Sequence, residues 1–226
     1  MCYPIGNASP LYLLLNFSLI LFPVLPMNIS IQVATEAHTK HAEAISHMIE
    51  DAARKRGTGI SKRPPEYIIR KMTEGKAIIA LADDEVVAGF CYIETWGHNK
   101  YIANSGLIVN EDFRKHGLAT DIKEAAFELS RKKYPDAKLF GITTSLAVMK
   151  INSDLGYRPV TFSELTTDEE FWKGCQSCPN FDILTRNQRS NCLCTAMLYD
   201  PNPRKNERSK DRKQLHSEQQ EPKNES

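Results

Sequence analysis

GLIVNEDFRKHGLAT, residues 106–120, is the stretch in which this 226-residue chain changes its structural period. An apolar run ends near Val109, a polar bend follows, and apolar residues recur at helical spacing from about Gly117. The run predicts a strand and the recurring positions predict a helix. The stretch is therefore predicted to be a strand, a tight bend and the start of a helix.

The start of that helix is suited to an anion. The first N–H groups of a helix lack partners within it and its dipole is positive there, so backbone alone can bind a pyrophosphate. Gly117 and Ala119 are small enough to let phosphates approach the main chain. Arg114 and Lys115 add positive charge, and Thr120 adds a hydroxyl.

Apolar runs surround this stretch. The runs 77–82 and 86–96 are separated by three acidic residues, and a third run follows at 101–109, which predicts three antiparallel strands. After the bend, one helical face is apolar. Its residues are Leu118, Ile122, Ala125, Ala126 and Leu129.

The remaining elements follow from the same periodicities. A strand is predicted at 29–34, a helix from Ala42 to a stop at Gly57, and a second helix from the Pro64-Pro65-Glu66 start to Gly75. Farther on, the pattern predicts a strand at 139–143, a short helix at 146–155, and strands at 158–162 and about 191–199. The order is β-α-α-β-β-β-α-β-α-β with one final strand.

Within this setting, Arg114-x-x-Gly117-x-Ala119 resembles the acyl-CoA loop of the GCN5-related N-acetyltransferase (GNAT) superfamily, Arg/Gln-x-x-Gly-x-Gly/Ala. The resemblance implies an α/β (α+β) domain over 28–200, with a mixed, mostly antiparallel central sheet flanked by helices. It also implies acetyl-CoA or another short acyl-CoA as co-substrate and a small-molecule amine as acceptor. The cofactor-binding residues that it implies are Leu107, Ile108, Val109, Arg114, Lys115, His116, Gly117, Leu118, Ala119, Thr120 and Asn152.

The implied reaction is attack of an amine on a thioester, helped by a backbone N–H near Val109 that stabilises the carbonyl oxygen. Residues 138–157 resemble the family's second signature, but Asn152 stands where the family often has a tyrosine that acts as acid. Asparagine can hydrogen-bond a sulfur or pantetheine but cannot transfer a proton at neutral pH. Glu94 and His98 are candidate bases, and their alternative roles are a surface carboxylate and a turn residue.

The acceptor is suggested by a shorter resemblance. Residues 139–144 (LFGITT) and 156–160 (GYRPV) are similar to the acetyltransferase domain of N-acetylglutamate synthases. This implies the α-amine of an acidic amino acid such as glutamate, whose carboxylates Arg63, Arg70 and Arg158 can pair with. A protein N-terminus or a lysine is the alternative acceptor. A non-catalytic module that binds acyl-CoA or metal is the alternative of another class.

Four of the six cysteines fall close together, as Cys175-Gln176-Ser177-Cys178 and Cys192-Leu193-Cys194. Four thiolates suit tetrahedral Zn²⁺, and the last two cysteines face the same way if their segment is a strand. We therefore expect a structural zinc site. Buried free thiols and a disulfide or redox pair are the alternatives, and a chain of this size fits a reducing cytoplasm.

The ends of the chain differ from its middle. Residues 1–27 are apolar and uncharged, which suggests translation from Met27, with a weak membrane anchor as the competing interpretation. Residues 201–226 read as a disordered charged tail. The 29 basic and 28 acidic side chains nearly balance, so neither nucleic acid binding nor stable membrane insertion is expected. A homodimer is compatible with the sequence.

Overall fold

A computed structural model describes residues 28–56 and 63–203. The predicted extension at 1–27, the helix stop at Gly57 and the tail from residue 204 lie outside the described residues. The strands are β1 (Ile29–Val33), β2 (Ala77–Ala82), β3 (Val86–Trp96), β4 (Tyr101–Val109), β5 (Lys138–Thr143), β6 (Arg158–Val160) and β7 (Thr195–Tyr199). The helices are α1 (Ala42–Arg56), α2 (Pro65–Thr73), α3 (Leu118–Lys133), α4 (Leu146–Asp154), α5 (Glu169–Lys173) and α6 (Phe181–Arg186).

The strands form one sheet with the order β1-β2-β3-β4-β5-β7-β6. Only β4 and β5 are parallel neighbours, and the other pairs are antiparallel. This arrangement confirms the mixed, mostly antiparallel sheet. Strands β2, β3 and β4 begin and end where the three apolar runs predict, because each run is bounded by charged or turn-forming residues.

A bulge in β4 decides how β4 meets β5. Tyr92 pairs with Ser105 and Phe90 with Ile108, so Cys91 alone faces the two residues between them. The first of these, Gly106, has a φ of +65°, and such glycine bulges bend a strand and increase its twist. The parallel pairing with β5 covers only 101–103 and 138–140. The rest of β4 therefore borders a gap in the sheet.

Helices cover both faces of the sheet. The apolar face of α3 packs through Ile122 and Ala126 on one side, as its spacing predicts. On the other side, α1 and α2 contribute Ile45 and Ile68 to a second cluster. Each helix thus buries one apolar stripe against the sheet. None of the helices in the described ranges has both the length and the apolar composition that a membrane crossing requires.

The segment between β6 and β7 differs from the prediction. It contains the short helices α5 and α6, and the final strand begins at Thr195, about four residues later than expected. Asp168 begins α5 by accepting a hydrogen bond from the Glu170 N–H, but a helix of five residues is too short for its periodicity to be read from sequence. An aromatic cluster that includes Phe140 and Trp172 packs this segment against the sheet.

The bulge gives a stability prediction. A methyl group at Gly106 would lie 2.3 Å from Cε1 of the buried Tyr92. We expect Gly106→Ala to lower the free energy of unfolding by about 2–4 kcal/mol, through left-handed strain and overpacking. The matched control is Gly117→Ala, at a φ of +82° with no atom within 4 Å, which should lose only ~1 kcal/mol. Urea unfolding measures both, and equal losses would contradict the account.

Candidate active site

A cleft of about 500 Å³ opens where β4 leaves β5. Its walls are the end of β4, the loop that follows, the first turn of α3 and the start of α4, with two residues of α1 at the rim. The lining residues are Ala52, Lys55, Leu107, Ile108, Val109, Glu111, Phe113, Arg114, Lys115, Gly117, Leu118, Ala119, Thr120, Ser145, Ala147 and Val148. This set includes every residue predicted to bind the cofactor except His116, which is exposed, and Asn152.

The loop before α3 presents backbone N–H groups to the cleft. Gly117 begins the helix in a left-handed conformation at φ +82°, and Lys115 is also left-handed at +71°. Within the described part of the chain, no hydrogen bond uses the N–H groups of residues 115–119. Unpaired N–H groups in alternating conformations form a concave anion site, and the dipole of α3 adds to it.

Charged side chains border the same cleft. Lys55 Nζ lies 2.6 Å from Glu111 Oε1, and Arg114 Nη1 lies 3.3 Å from the same oxygen. The Lys55 ammonium and then Arg114 hold the pKa of Glu111 below its ordinary value. Arg114 Nε donates to the Val109 carbonyl at 3.1 Å, which fixes the loop against the end of β4.

The cleft falls almost entirely within a range of residues that a family model matches. The family model described as acetyltransferase (GNAT) family matches residues 42–147, from the start of α1 to the start of α4. Residues 42–147, 106 of the 226 in the chain, are therefore similar to a GNAT acetyltransferase domain. All the cleft-lining residues except Val148 lie inside the matched range.

Solved structures have the same GNAT fold. N-acetylglutamate synthase from Neisseria gonorrhoeae, complexed with coenzyme A and N-acetyl-glutamate, matches with a TM-score of 0.54 and 16% identity over 76% of this chain and 35% of that chain. Rv2747 from Mycobacterium tuberculosis, in complex with CoA, matches with a TM-score of 0.54 and 15% identity, over 76% of this chain and 98% of that chain. The yncA protein from Salmonella typhimurium, with its cofactor acetyl-CoA, matches with a TM-score of 0.51 and 12% identity, over 77% of this chain and 94% of that chain.

At these identities the likeness shows the fold alone. The chain spans about a third of the length of the Neisseria synthase, 35% of it. A search of curated proteins found no match.

Glu94 lies beside the gap on the face of the sheet that α2 covers. It is paired with Ala103, the last β4 residue that also pairs with β5. Its Oε1 is 3.0 Å from Lys71 Nζ on α2, and the two side chains are only 14% and 7% exposed. The contact brings the charges together without the alignment of a hydrogen bond.

Burial shifts both groups toward neutrality. Desolvation raises the pKa of Glu94 to about 7, and the positive charge of Arg63 opposes this rise. Desolvation lowers the pKa of Lys71 to about 8, opposed by Glu74. A carboxyl group that titrates near neutral pH is suited to accept a proton from an amine.

Cations and aromatic rings adjoin this pair. The guanidinium groups of Arg63 and Arg70 each lie 5.2 Å from the ring centre of Tyr67, and Lys71 Nζ lies 5.1 Å from it. Arg63 Nε also donates to the Tyr92 hydroxyl. The structure thus brings together two of the three arginines predicted to bind carboxylates. Arg158 is elsewhere, on β6 at the sheet edge.

Asn152 and His98, the other two residues considered for proton transfer, do not line the cleft. Asn152 is 1% exposed; its Nδ2 donates to Met197 Sδ at 3.7 Å, and its Oδ1 has no partner within the described residues. His98 is exposed, with a φ of 55°, in the turn between β3 and β4. This geometry agrees with the alternative interpretation of His98 as a turn residue.

The predicted zinc site has no support in the structure. In the ranges 28–56 and 63–203, no three His, Cys, Asp or Glu side chains are grouped so that they could hold a metal ion. Cys192 and Cys194 precede β7, so strand alternation does not align them as predicted. Cys192 Sγ instead contacts the Asn180 carbonyl at 3.8 Å. Burial raises the pKa of Cys194 to about 11, which favours the thiol.

The sequence analysis does not predict a role for Lys71, because lysine side chains are usually exposed to solvent. A signal was present: Lys71 follows Ile68 by three positions and precedes Met72, and all three side chains are buried. On a helix this spacing places the lysine on the apolar face. A cation at such a position needs a partner from the sheet, which is Glu94.

The Glu94 pKa gives a pH prediction. Because the folded state holds this proton more tightly than the unfolded chain, the free energy of unfolding should fall as pH rises from about 4.5 to about 7. The fall should be on the order of 1–3 kcal/mol, and Glu94→Gln should remove it. Exposed Glu85→Gln is the control. Identical pH dependence of the wild-type and Glu94→Gln proteins in urea unfolding would contradict the buried titration.

Proposed function

We propose that the protein transfers an acyl group, acetyl being the first candidate, from acyl-CoA to a small-molecule amine. The observation that carries this proposal is the cleft at the β4–β5 gap, which ends at the unpaired N–H groups of the loop before α3. These groups suit a pyrophosphate, and Lys55, Arg114 and Lys115 add positive charge beside them. The solved GNAT structures that contain CoA or acetyl-CoA support this ligand.

The gap also supplies groups for the acyl transfer itself. The Val109 carbonyl accepts from Arg114, so the main-chain polar groups of Val109 point away from β3 and toward the open side. Its N–H is therefore our candidate to stabilise the oxygen of the attacked carbonyl. Glu94, at the end of the β4–β5 pairing, is our candidate to take the proton of the amine. The new C–N bond forms as the C–S bond breaks.

The proposed acceptor is the α-amine of an acidic amino acid, with glutamate as the first candidate. Arg63, Arg70 and Lys71 place three cations near the candidate base, and guanidinium groups bind carboxylates in a bidentate manner. The similarity to a synthase crystallised with N-acetyl-glutamate supports the same choice. A reducing compartment and a homodimer stay predictions.

The direct experiment is a screen for thiol release. The full chain is incubated with acetyl-CoA or succinyl-CoA and with glutamate, aspartate, glutamine, or a peptide with a free N-terminus. We expect release of free CoA with glutamate or aspartate and much less with glutamine. Release only with the peptide would support the alternative acceptor. No release with any amine, together with retained CoA binding, would support a non-catalytic module.

The loop gives a binding prediction. Gly117→Val should raise the Kd for acetyl-CoA at least tenfold, a loss of about 1.4 kcal/mol, because a β-branched side chain would occupy the approach to the N–H groups. Gly75→Val is the matched control, since Gly75 is also left-handed, at φ +60°, but does not line the cleft. Isothermal titration measures the Kd. A change within twofold for Gly117→Val would remove the loop from the cofactor site.

The cation cluster gives a specificity prediction. Arg63→Gln should raise KM for glutamate about tenfold or more, since a hydrogen bond to a charged group contributes about 1.5–3 kcal/mol. KM for acetyl-CoA should stay near the wild-type value. Arg158→Gln is the control, because Arg158 is exposed and pairs with Glu164 at 2.6 Å. Equal effects of the two variants on KM for glutamate would contradict the assignment.

A further inference from the structure

Lys123 is a buried cation in the middle of α3. Its side chain is 2% exposed. Its Nζ lies 3.5 Å from the main-chain oxygen of Asn104 and 5.6 Å from the ring centre of Tyr157. In the described part of the chain no carboxylate pairs with it. Burial of a lysine without a carboxylate partner destabilises the folded state, so a functional role would explain its presence.

The oxygen that Lys123 contacts points into the gap between β4 and β5. Ile93, the β3 partner of Asn104, donates its N–H to Lys76 on the other side. Ile93 and Asn104 are therefore a non-hydrogen-bonded pair, and the polar groups of Asn104 point away from β3. Pairing with β5 ends one residue earlier, at Ala103. Lys123 thus reaches the first β4 carbonyl beyond that pairing.

The position of Lys123 on α3 also places it close to the cleft. Ala119 and Thr120 line the cleft, and Lys123 follows them by four and three residues. Residues at these spacings share one face of a helix. Lys123 is itself buried and does not line the cleft, but it lies one helical turn beyond these two lining residues.

The groups around Lys123 explain why its pKa is lowered. Cys91 of β3, the Asn104–Ser130 side-chain pair and the Tyr157 hydroxyl, which donates to Asn104 Oδ1 at 2.8 Å, are all uncharged neighbours. Burial lowers the pKa of Lys123 to about 8, and only the thiolate form of Cys91 would oppose this change. Replacing a buried charge by an apolar side chain of similar size is often neutral or stabilising.

We propose that the Lys123 ammonium protonates the thiolate that leaves in the acyl transfer. This inference rests on the proposed function. As the C–S bond breaks, its electron pair goes to sulfur; Nζ contacts that sulfur and gives it a proton, so free CoA and a neutral lysine result. Glu94 holds the proton that the amine lost, and both groups exchange protons with solvent after product release. The side chain of Asn152 cannot supply this proton.

The test compares Lys123→Met with Lys123→Arg. Lys123→Met keeps the length of the side chain and removes its charge, while Lys123→Arg keeps a charge that does not dissociate. We expect kcat to fall about 100-fold in Lys123→Met, with Kd for acetyl-CoA unchanged and the melting temperature equal or higher. Wild-type kcat should fall as pH rises through about 8, because the protonated amine is the donor.

Both variants should lose that basic limb of the pH profile. Arginine should also keep tight binding of CoA relative to desulfo-CoA, since it retains the charge beside the sulfur, whereas methionine should lose this preference. The proposal is overturned if Lys123→Met keeps kcat within twofold, or if its basic limb is unchanged. Absence of thiol release in the wild-type protein would instead overturn the proposed function, so the two failures are distinguishable.

Discussion

The bulge at Gly106 is the constraint on which the site depends. Its φ of +65° and its contact with Tyr92 require glycine, and β4 pairs with β5 over only three residues. Beyond these three residues, β4 and β5 are separated by a gap. It exposes main-chain groups of β4 to the cleft, while β3 still pairs with the other edge of β4. A continuous sheet would leave no space for a thioester.

Three buried ionisable side chains surround that gap from two directions. Lys71 and Glu94 lie on the α2 face, and Lys123 comes from α3 on the other. Desolvation moves each pKa toward neutrality. The proposed base and the proposed acid therefore approach an acyl group from opposite faces of the sheet, where neither neutralises the other directly. Their burial opposes folding, and the large apolar clusters on both faces offset that cost.

The segment between β6 and β7 has a packing role. Its aromatic residues Phe162, Phe171 and Trp172 contact one another through tilted and edge-to-face ring pairs, and Phe171 also contacts Phe140 of the sheet edge-to-face. Three of the four clustered cysteines pack against this group as small, partly buried side chains. Besides burial, Cys175, Cys178 and Cys192 all help to raise the pKa of Cys194, so the four sulfur atoms are neighbours, although no group of three ligating side chains in the described residues is placed to hold a metal ion.

The sequence by itself determined the strands β2, β3 and β4, the helix α3 and the loop between them, because alternation, helical spacing and glycine positions are local properties. It also predicted nine of the sixteen residues that line the cleft, since these nine fall in one short stretch of the chain. Tertiary structure alone decided which distant charges meet. The Lys71–Glu94 contact and the place of Lys123 beside Asn104 join residues from separate elements, and their pKa values arise from burial. Burial of this kind depends on how helices and sheet pack, which no local pattern records.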